Sequence, residues 1–279
     1  VDEAALPAVS RLDPAPPAGA RADDPRVPAA ALRVDERLVT VRAPRSFEAE
    51  QYRVLRHFLQ GTGAERSQVI AVSSPAAGEG KTTTAVNLAA TLAQSRGARV
   101  LVVDTDLRRP FVASALGLST SGPGLVGALL DERLDLAAAV QRTPFNLAVL
   151  PAGPPPADAY HVLESPRLGR LLQQARAEYD HVVVDTPPLL VVPDCRLIEP
   201  WVDAFVVVVA AQRTPRRLLG EALAVVEPAK VAGIVFNGDA RPLWGEYGGY
   251  YADYHAGRGE RGGWRWWRRS RGQGRRSWR

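Results

Sequence analysis

The sequence predicts an α/β fold in which a mostly parallel sheet is covered by helices on both faces. Apolar, β-branched runs recur at Val69–Val72, Val100–Val103, Leu147–Leu150, Val182–Val184, Phe205–Val209 and Ile234–Phe236, separated by helix-like stretches. Strands buried on both faces read as unbroken apolar runs, whereas a half-exposed strand alternates. The second observation is local: the run Val69–Val72 leads straight into a Gly-containing loop and then a helix.

Taken in order, residues 1–45 are rich in Ala, Pro and Asp, most strongly up to about Arg33. That composition predicts a flexible leader. Ser46–Gln60 follows with a Ser N-cap candidate and with Phe47, Tyr52, Leu55, Phe58 and Leu59 at helical spacing, predicting an amphipathic helix. The folded domain is expected over residues 46–240, since the last strand ends near Asn237 and periodicity then stops. Residues 241–255 hold a tyrosine cluster and residues 256–279 an Arg/Trp-rich extension, both expected to be disordered.

Composition narrows the function classes. With 279 residues, 46% of them apolar, the chain can bury a full α/β core. Its one cysteine, Cys195, can form neither an internal disulfide nor a thiolate metal cluster, which fits a reducing cytoplasm. No run approaches the roughly eighteen apolar residues of a membrane span, and the first residues have no signal core, so a soluble chain is expected. The net charge of +5 is local, because Ala256–Arg279 carries nine arginines against Glu260 alone. Only two lysines, Lys81 and Lys230, occur in the whole chain, which singles out the one placed at a helix start.

That lysine closes the loop SSPAAGEGKTTTAVNLAATLAQ. Backbone amides of Ala77, Gly78, Glu79, Gly80, Lys81, Thr82 and Thr83 are the candidate phosphate cradle, with Lys81 reaching the β- and γ-phosphates of ATP and the Thr82 hydroxyl ligating Mg²⁺. Against the GxxxxGK[ST] template, Pro75 replaces the first Gly; Gly80, Lys81 and Thr82 are intact. The second strand ends VLVVDTDLRRP, which puts Asp104 and Asp106 on one side of an extended chain. HVVVDTPP ends another strand in Asp185, a position suited to holding Mg²⁺ through its water shell. Three strand ends in this order after a phosphate loop predict the P-loop NTPase fold with its site at the C-terminal edge of the sheet. Thr82, Asp104 and Asp185 are the candidate metal set, and Asp106 is the preferred base for an attacking hydroxyl. The choice between Asp104 and Asp106 stays open at this point. Arg108 and Arg109 are candidates for phosphate or a subunit neighbour.

These three motifs, in this order and spacing, resemble the bacterial tyrosine kinases that control capsule and exopolysaccharide synthesis, over about Ser46–Tyr254. The resemblance implies an ATP-dependent tyrosine autokinase that phosphorylates its own C-terminal tyrosines in trans and regulates polymer assembly or export. It assigns the phosphoacceptors to Tyr247, Tyr250, Tyr251 and Tyr254, four of the seven tyrosines in the chain. Glu50, Arg53 and Arg56 match the family's E-x2-R-x2-R helix, implying ring-type self-association. The implied partner is a membrane-spanning polysaccharide co-polymerase that recruits the kinase to the inner face of the cell membrane. Partition and septum-positioning ATPases form the alternative, as switches without kinase activity, but they carry a second lysine where this chain has Ala76. A nucleotide-binding adaptor would share every motif. The Arg/Trp extension is read from its chemistry alone as a contact for an anionic membrane surface, with single-stranded nucleic acid the less favoured ligand.

Overall fold

The computed structural model describes residues 32–60 and 67–238. The chain divides after Asp239, and every described residue falls in the first unit. The tyrosine cluster and the Arg/Trp extension lie outside the described residues.

Two helices, α1 (Val39–Arg42) and α2 (Phe47–Gln60), precede β1 (Gln68–Ser73) and α3 (Lys81–Ala93). Next come β2 (Val100–Asp104), α4 (Val112–Leu116), α5 (Gly124–Leu130), α6 (Leu136–Ala139), β3 (Gln141–Arg142) and β4 (Leu147–Leu150). The remainder is α7 (Ala159–Leu163), α8 (Arg167–Glu178), β5 (His181–Asp185), α9 (Asp194–Ile198), β6 (Ala204–Ala210), α10 (Arg216–Leu223) and β7 (Val231–Asn237). All six apolar runs form strands. The two-residue β3, antiparallel to β4, is too short to leave a pattern in the sequence.

The sheet runs β3-β4-β2-β5-β1-β6-β7, and every pair except β3–β4 is parallel. Alternate residues of each central strand enter separate cores. Val69, Ala71, Leu101, Val103, Val182, Val184 and Phe205 pack with α5 to α10, while Ile70, Val72, Val102, Val183, Val206 and Val208 pack with α1 to α4. This two-sided burial is why those strands could carry unbroken apolar sequence. Register aligns the strand ends that matter: Asp104 pairs with Asp185, and Val72 pairs with Asp185 from the other side.

One expectation differs from the fold. The flexible leader does not extend to residue 45, because residues 32–45 fold onto the body. Leu38 and Thr40 are buried, Asp35 N–H donates to Ala115 O, and the Thr40 N–H and hydroxyl both donate to Asn87 Oδ1. Asn87 in turn donates to Arg37 O and Thr83 O, so the segment is fastened to α3 by a buried polar network. Ala and Pro content concealed this because the anchors, Leu38 and Thr40 with the partly buried Leu32, Val34 and Val41, are few and follow no helical or strand period.

The amphipathic helix expected after Ser46 is α2. Its Ser46 cap is present, with Ala49 N–H donating to the hydroxyl. Ala49 and Leu59 are buried and Tyr52 and Leu55 half-buried, with Leu55 against the core, whereas Phe47, Val54 and Phe58 are exposed. Aromatic spacing alone did not tell which side of the helix meets α3.

Candidate functional site

The phosphate loop is folded by its own glycines and by contacts from distant strands. Gly78 (φ 79°) and Gly80 (φ 93°) occupy the left-handed region that a side chain disfavours. At Gly80 a Cβ would also stand 1.9 Å from Asn237 Nδ2, so the last residue of β7 closes over the loop. Asn237 Nδ2 donates to Glu79 O at 2.9 Å. The Glu79 side chain is buried, accepting from Ala76 N–H at 2.9 Å and from the Thr214 hydroxyl. The sequence singled out Glu79 only for its backbone amide and gave no sign of Thr214 and Asn237 beyond their place after the end of β6 and at the end of β7.

From this loop Lys81 points into a cluster of carboxylates. Its Nζ lies 2.7 Å from Asp106 Oδ2, 3.3 Å from Thr82 Oγ1 and 3.9 Å from Asp185 Oδ1. The Thr82 hydroxyl donates to Asp185 Oδ2 at 2.7 Å. Asp104 is buried beside them but faces backbone: Oδ2 accepts from Phe111 N–H and Val112 N–H, and Oδ1 from Asp106 N–H. Asp104 therefore organises the loop that carries Asp106 and caps the start of α4.

One cation among three carboxylates leaves a negative site. Burial, then the charge of Asp185, pushes the Asp104 carboxyl up to about 8. Burial pushes Asp185 to about 6, even though Lys81 and the Thr82 hydroxyl favour its ionised form. Burial alone would lower the Lys81 ammonium; Asp185 and Asp106 outweigh it and hold it raised. Asp185 Oδ1 is buried without a hydrogen-bond partner. An unsatisfied anionic oxygen beside a threonine hydroxyl, in a pocket short of positive charge, suits a hydrated divalent cation. Thr82 and Asp185 fit that role on their geometry; Asp104 has already committed its lone pairs to the backbone.

Arg108 departs from expectation. Its guanidinium meets Asp194 on α9, Nε to Oδ2 at 3.2 Å and Nη2 to Oδ1 at 3.1 Å. Arg109 is exposed, and its N–H donates to Asp106 Oδ1. On α2, Glu50 pairs with Arg53 within the helix, and Arg53 also donates to Pro44 O. Arg56 turns inward to Thr91 O and Ser95 Oγ of the α3 end. Cys195 is buried, its thiol pushed up to about 11 by desolvation, which makes it inert.

A family model described as an AAA domain matches residues 67–213, which hold the loop, all three aspartates and α9. The tyrosine-protein kinase YwqD of Bacillus subtilis (strain 168) is 34% identical over 222 residues, covering 78% of this chain and 92% of that protein. The succinoglycan biosynthesis transport protein ExoP of Rhizobium meliloti (strain 1021) is 36% identical over 71% of this chain, a stretch that makes up 26% of ExoP. Among solved structures, the BceF tyrosine kinase domain superposes with a TM-score of 0.62 at 29% identity, over 73% of this chain and 84% of that one. With the site geometry and these matches together, the chain belongs to the bacterial tyrosine-protein kinase family built on a nucleotide-binding AAA domain.

Proposed function

We propose that this chain transfers the γ-phosphoryl group of MgATP to tyrosine hydroxyls, first of all those of Tyr247, Tyr250, Tyr251 and Tyr254 on a neighbouring copy. The observation that carries the reading is the joining of Lys81, Thr82, Asp106 and Asp185 at one sheet edge in a chain of this family. Lys81 and the loop amides of Ala77 to Thr83 would hold the phosphates, and Thr82 with Asp185 the magnesium ion. The ion and triphosphate supply charge neutralisation and the transferable group.

Asp106 is the base in this reading. It takes the tyrosine proton as the new O–P bond forms and the bond to the departing ADP breaks. Lys81 Nζ lies 2.7 Å from Asp106 Oδ2. Phosphate oxygens competing for the lysine would free that carboxylate, which ties base activation to nucleotide binding. Ala76, where the partition-type switches carry a lysine, favours the kinase over the switch.

The name of the relative ExoP, a succinoglycan biosynthesis transport protein, supports a role in polysaccharide assembly or export; a membrane-spanning co-polymerase as activator, which would bring the kinase to the inner face of the membrane, rests on the family resemblance alone. The exposed Val54 and Phe58 beside the Glu50–Arg53 pair support self-association through α2.

The test is incubation with MgATP followed by phosphotyrosine detection and mass mapping. Lys81→Met should reduce incorporation by at least about a hundred-fold in a folded protein, since its charge acts on the transferred group. Changing the four tail tyrosines together to Phe should remove the label and leave ATP affinity intact. Label retained at Tyr52, Tyr160 or Tyr179 in that variant, or full activity in Lys81→Met, would overturn the reading.

A further inference from the structure

The stretch between β2 and α4 delivers Asp106, and the stretch between β5 and α9 begins at Asp185. The sheet fixes the strand ends, since Asp104 and Asp185 are paired in register. Beyond the strands each stretch needs its own anchors. The inner half of the first has them: Thr105 N–H and hydroxyl both donate to Asp185 O, and the Asp104 carboxylate gathers the N–H groups of Asp106, Phe111 and Val112.

The outer turn has Leu107 buried in the core and the Arg109 N–H bonded to Asp106, and Arg108 adds its link to α9. Its partner Asp194 has a side chain with 0% exposure, while the arginine is 40% exposed, so a surface guanidinium reaches in to a fully buried carboxylate. A buried anion needs a close counter-charge, and two nearly parallel N–H···O contacts set the direction of the pair as well as its distance. A lysine offers one point of contact and does not reproduce that geometry. Asp194 opens α9 in a buried stretch of chain, with Cys195 and Ile198 of the same helix also buried.

Resting on the kinase reading, we propose that Arg108 and Asp194 form a positioning tether, which sets Asp106 against Lys81 by joining the outer turn of its loop to α9. Arg108 then works through Asp106 without touching phosphate. Arg108→Gln and Asp194→Asn break the same link from its two ends, so they share a phenotype: kcat for phosphotransfer falls on the order of ten- to a hundred-fold, as expected for a base moved by a fraction of an ångström. KM for ATP and the affinity for Mg-ADP change less than about two-fold, because the phosphate cradle is elsewhere. The double variant is no worse than the poorer single one. Arg108→Lys recovers only part of the loss.

The experiment is steady-state phosphotransfer and fluorescent Mg-ADP binding on the full chain and these four variants, with thermal melts alongside. Arg108→Gln far more damaging than Asp194→Asn would mean that the arginine contacts phosphate or acceptor directly. Lowered melting temperature with unchanged kcat would reduce the pair to a structural contact, and additive losses in the double variant would also overturn the tether. Absence of phosphotransfer in the unmutated chain counts against the kinase reading instead, and the same comparison is then made on ATP hydrolysis.

Discussion

Asp104 shows how one residue can be conspicuous in the sequence and still take a different part in the structure. Paired with Asp106 at a strand end, it resembled a metal ligand; its oxygens instead accept three backbone N–H groups, and the open anionic oxygen belongs to Asp185. The consequence is a pH dependence whose sign is fixed. With its carboxyl raised from the ordinary 3.8 to about 8, chiefly by burial, the folded state holds a proton that the unfolded chain has released over that interval. Stability therefore falls as pH rises from about 4 to about 8, and Asp185, raised to about 6, adds in the same direction over the lower part of the range. Melting temperatures without nucleotide should decline between pH 6.5 and 8.5, above the range where half-buried His181, its imidazole held below the ordinary 6.5, acts in the opposite sense, and Asp104→Asn should flatten that decline. An unchanged slope in Asp104→Asn would show that another group titrates.

At the scale of elements, the sheet was legible because each central strand is apolar on both sides, and the order of its polar strand ends was legible for the same reason. The facing of α2 was legible only in part, because Phe47 and Phe58 share the helical spacing of the inward Leu55 and Leu59 and yet are exposed. The fastening of residues 32–45 was hidden too, since Thr40 and Asn87 carry no periodic signal and meet only in three dimensions. The observed facing sharpens the assembly prediction. Arg56 spends its guanidinium on the end of α3, so it is a poor probe of self-association; Val54 and Phe58, with exposures of 63% and 53%, are better ones. Val54→Asp with Phe58→Asp should shift the protein toward monomer by light scattering and slow phosphorylation of a Lys81→Met acceptor, with the fold preserved because neither side chain is in the core. Unchanged mass would remove α2 from the assembly surface.

For the whole molecule, the nucleotide site and the proposed acceptors belong to different parts of the chain, which makes regulation of the second by the first a matter of charge. Nine arginines and four tryptophans follow Tyr254, with Glu260 the one acid among them. Each basic residue near an anionic leaflet contributes about 1 kcal/mol, and tryptophan favours the interface, so even half of these arginines would hold the chain at a membrane without a spanning segment. Among the described residues no helix is long and apolar enough to cross one. Four phosphotyrosines beside the arginines would bring about −1.5 to −2 charges each, enough to offset most of the positive charge. The unphosphorylated protein should therefore cosediment with vesicles containing phosphatidylserine, lose that binding when truncated after Ala256, and bind more weakly once it has phosphorylated itself. Neutral vesicles should not retain it, and binding should fall as salt is raised, because the attraction is screened beyond roughly 10 Å at 0.1 M. Equal sedimentation of the full and truncated chains would leave the extension without a membrane role, and tight binding to single-stranded nucleic acid in its place would assign the arginines and tryptophans to phosphate contacts and base stacking.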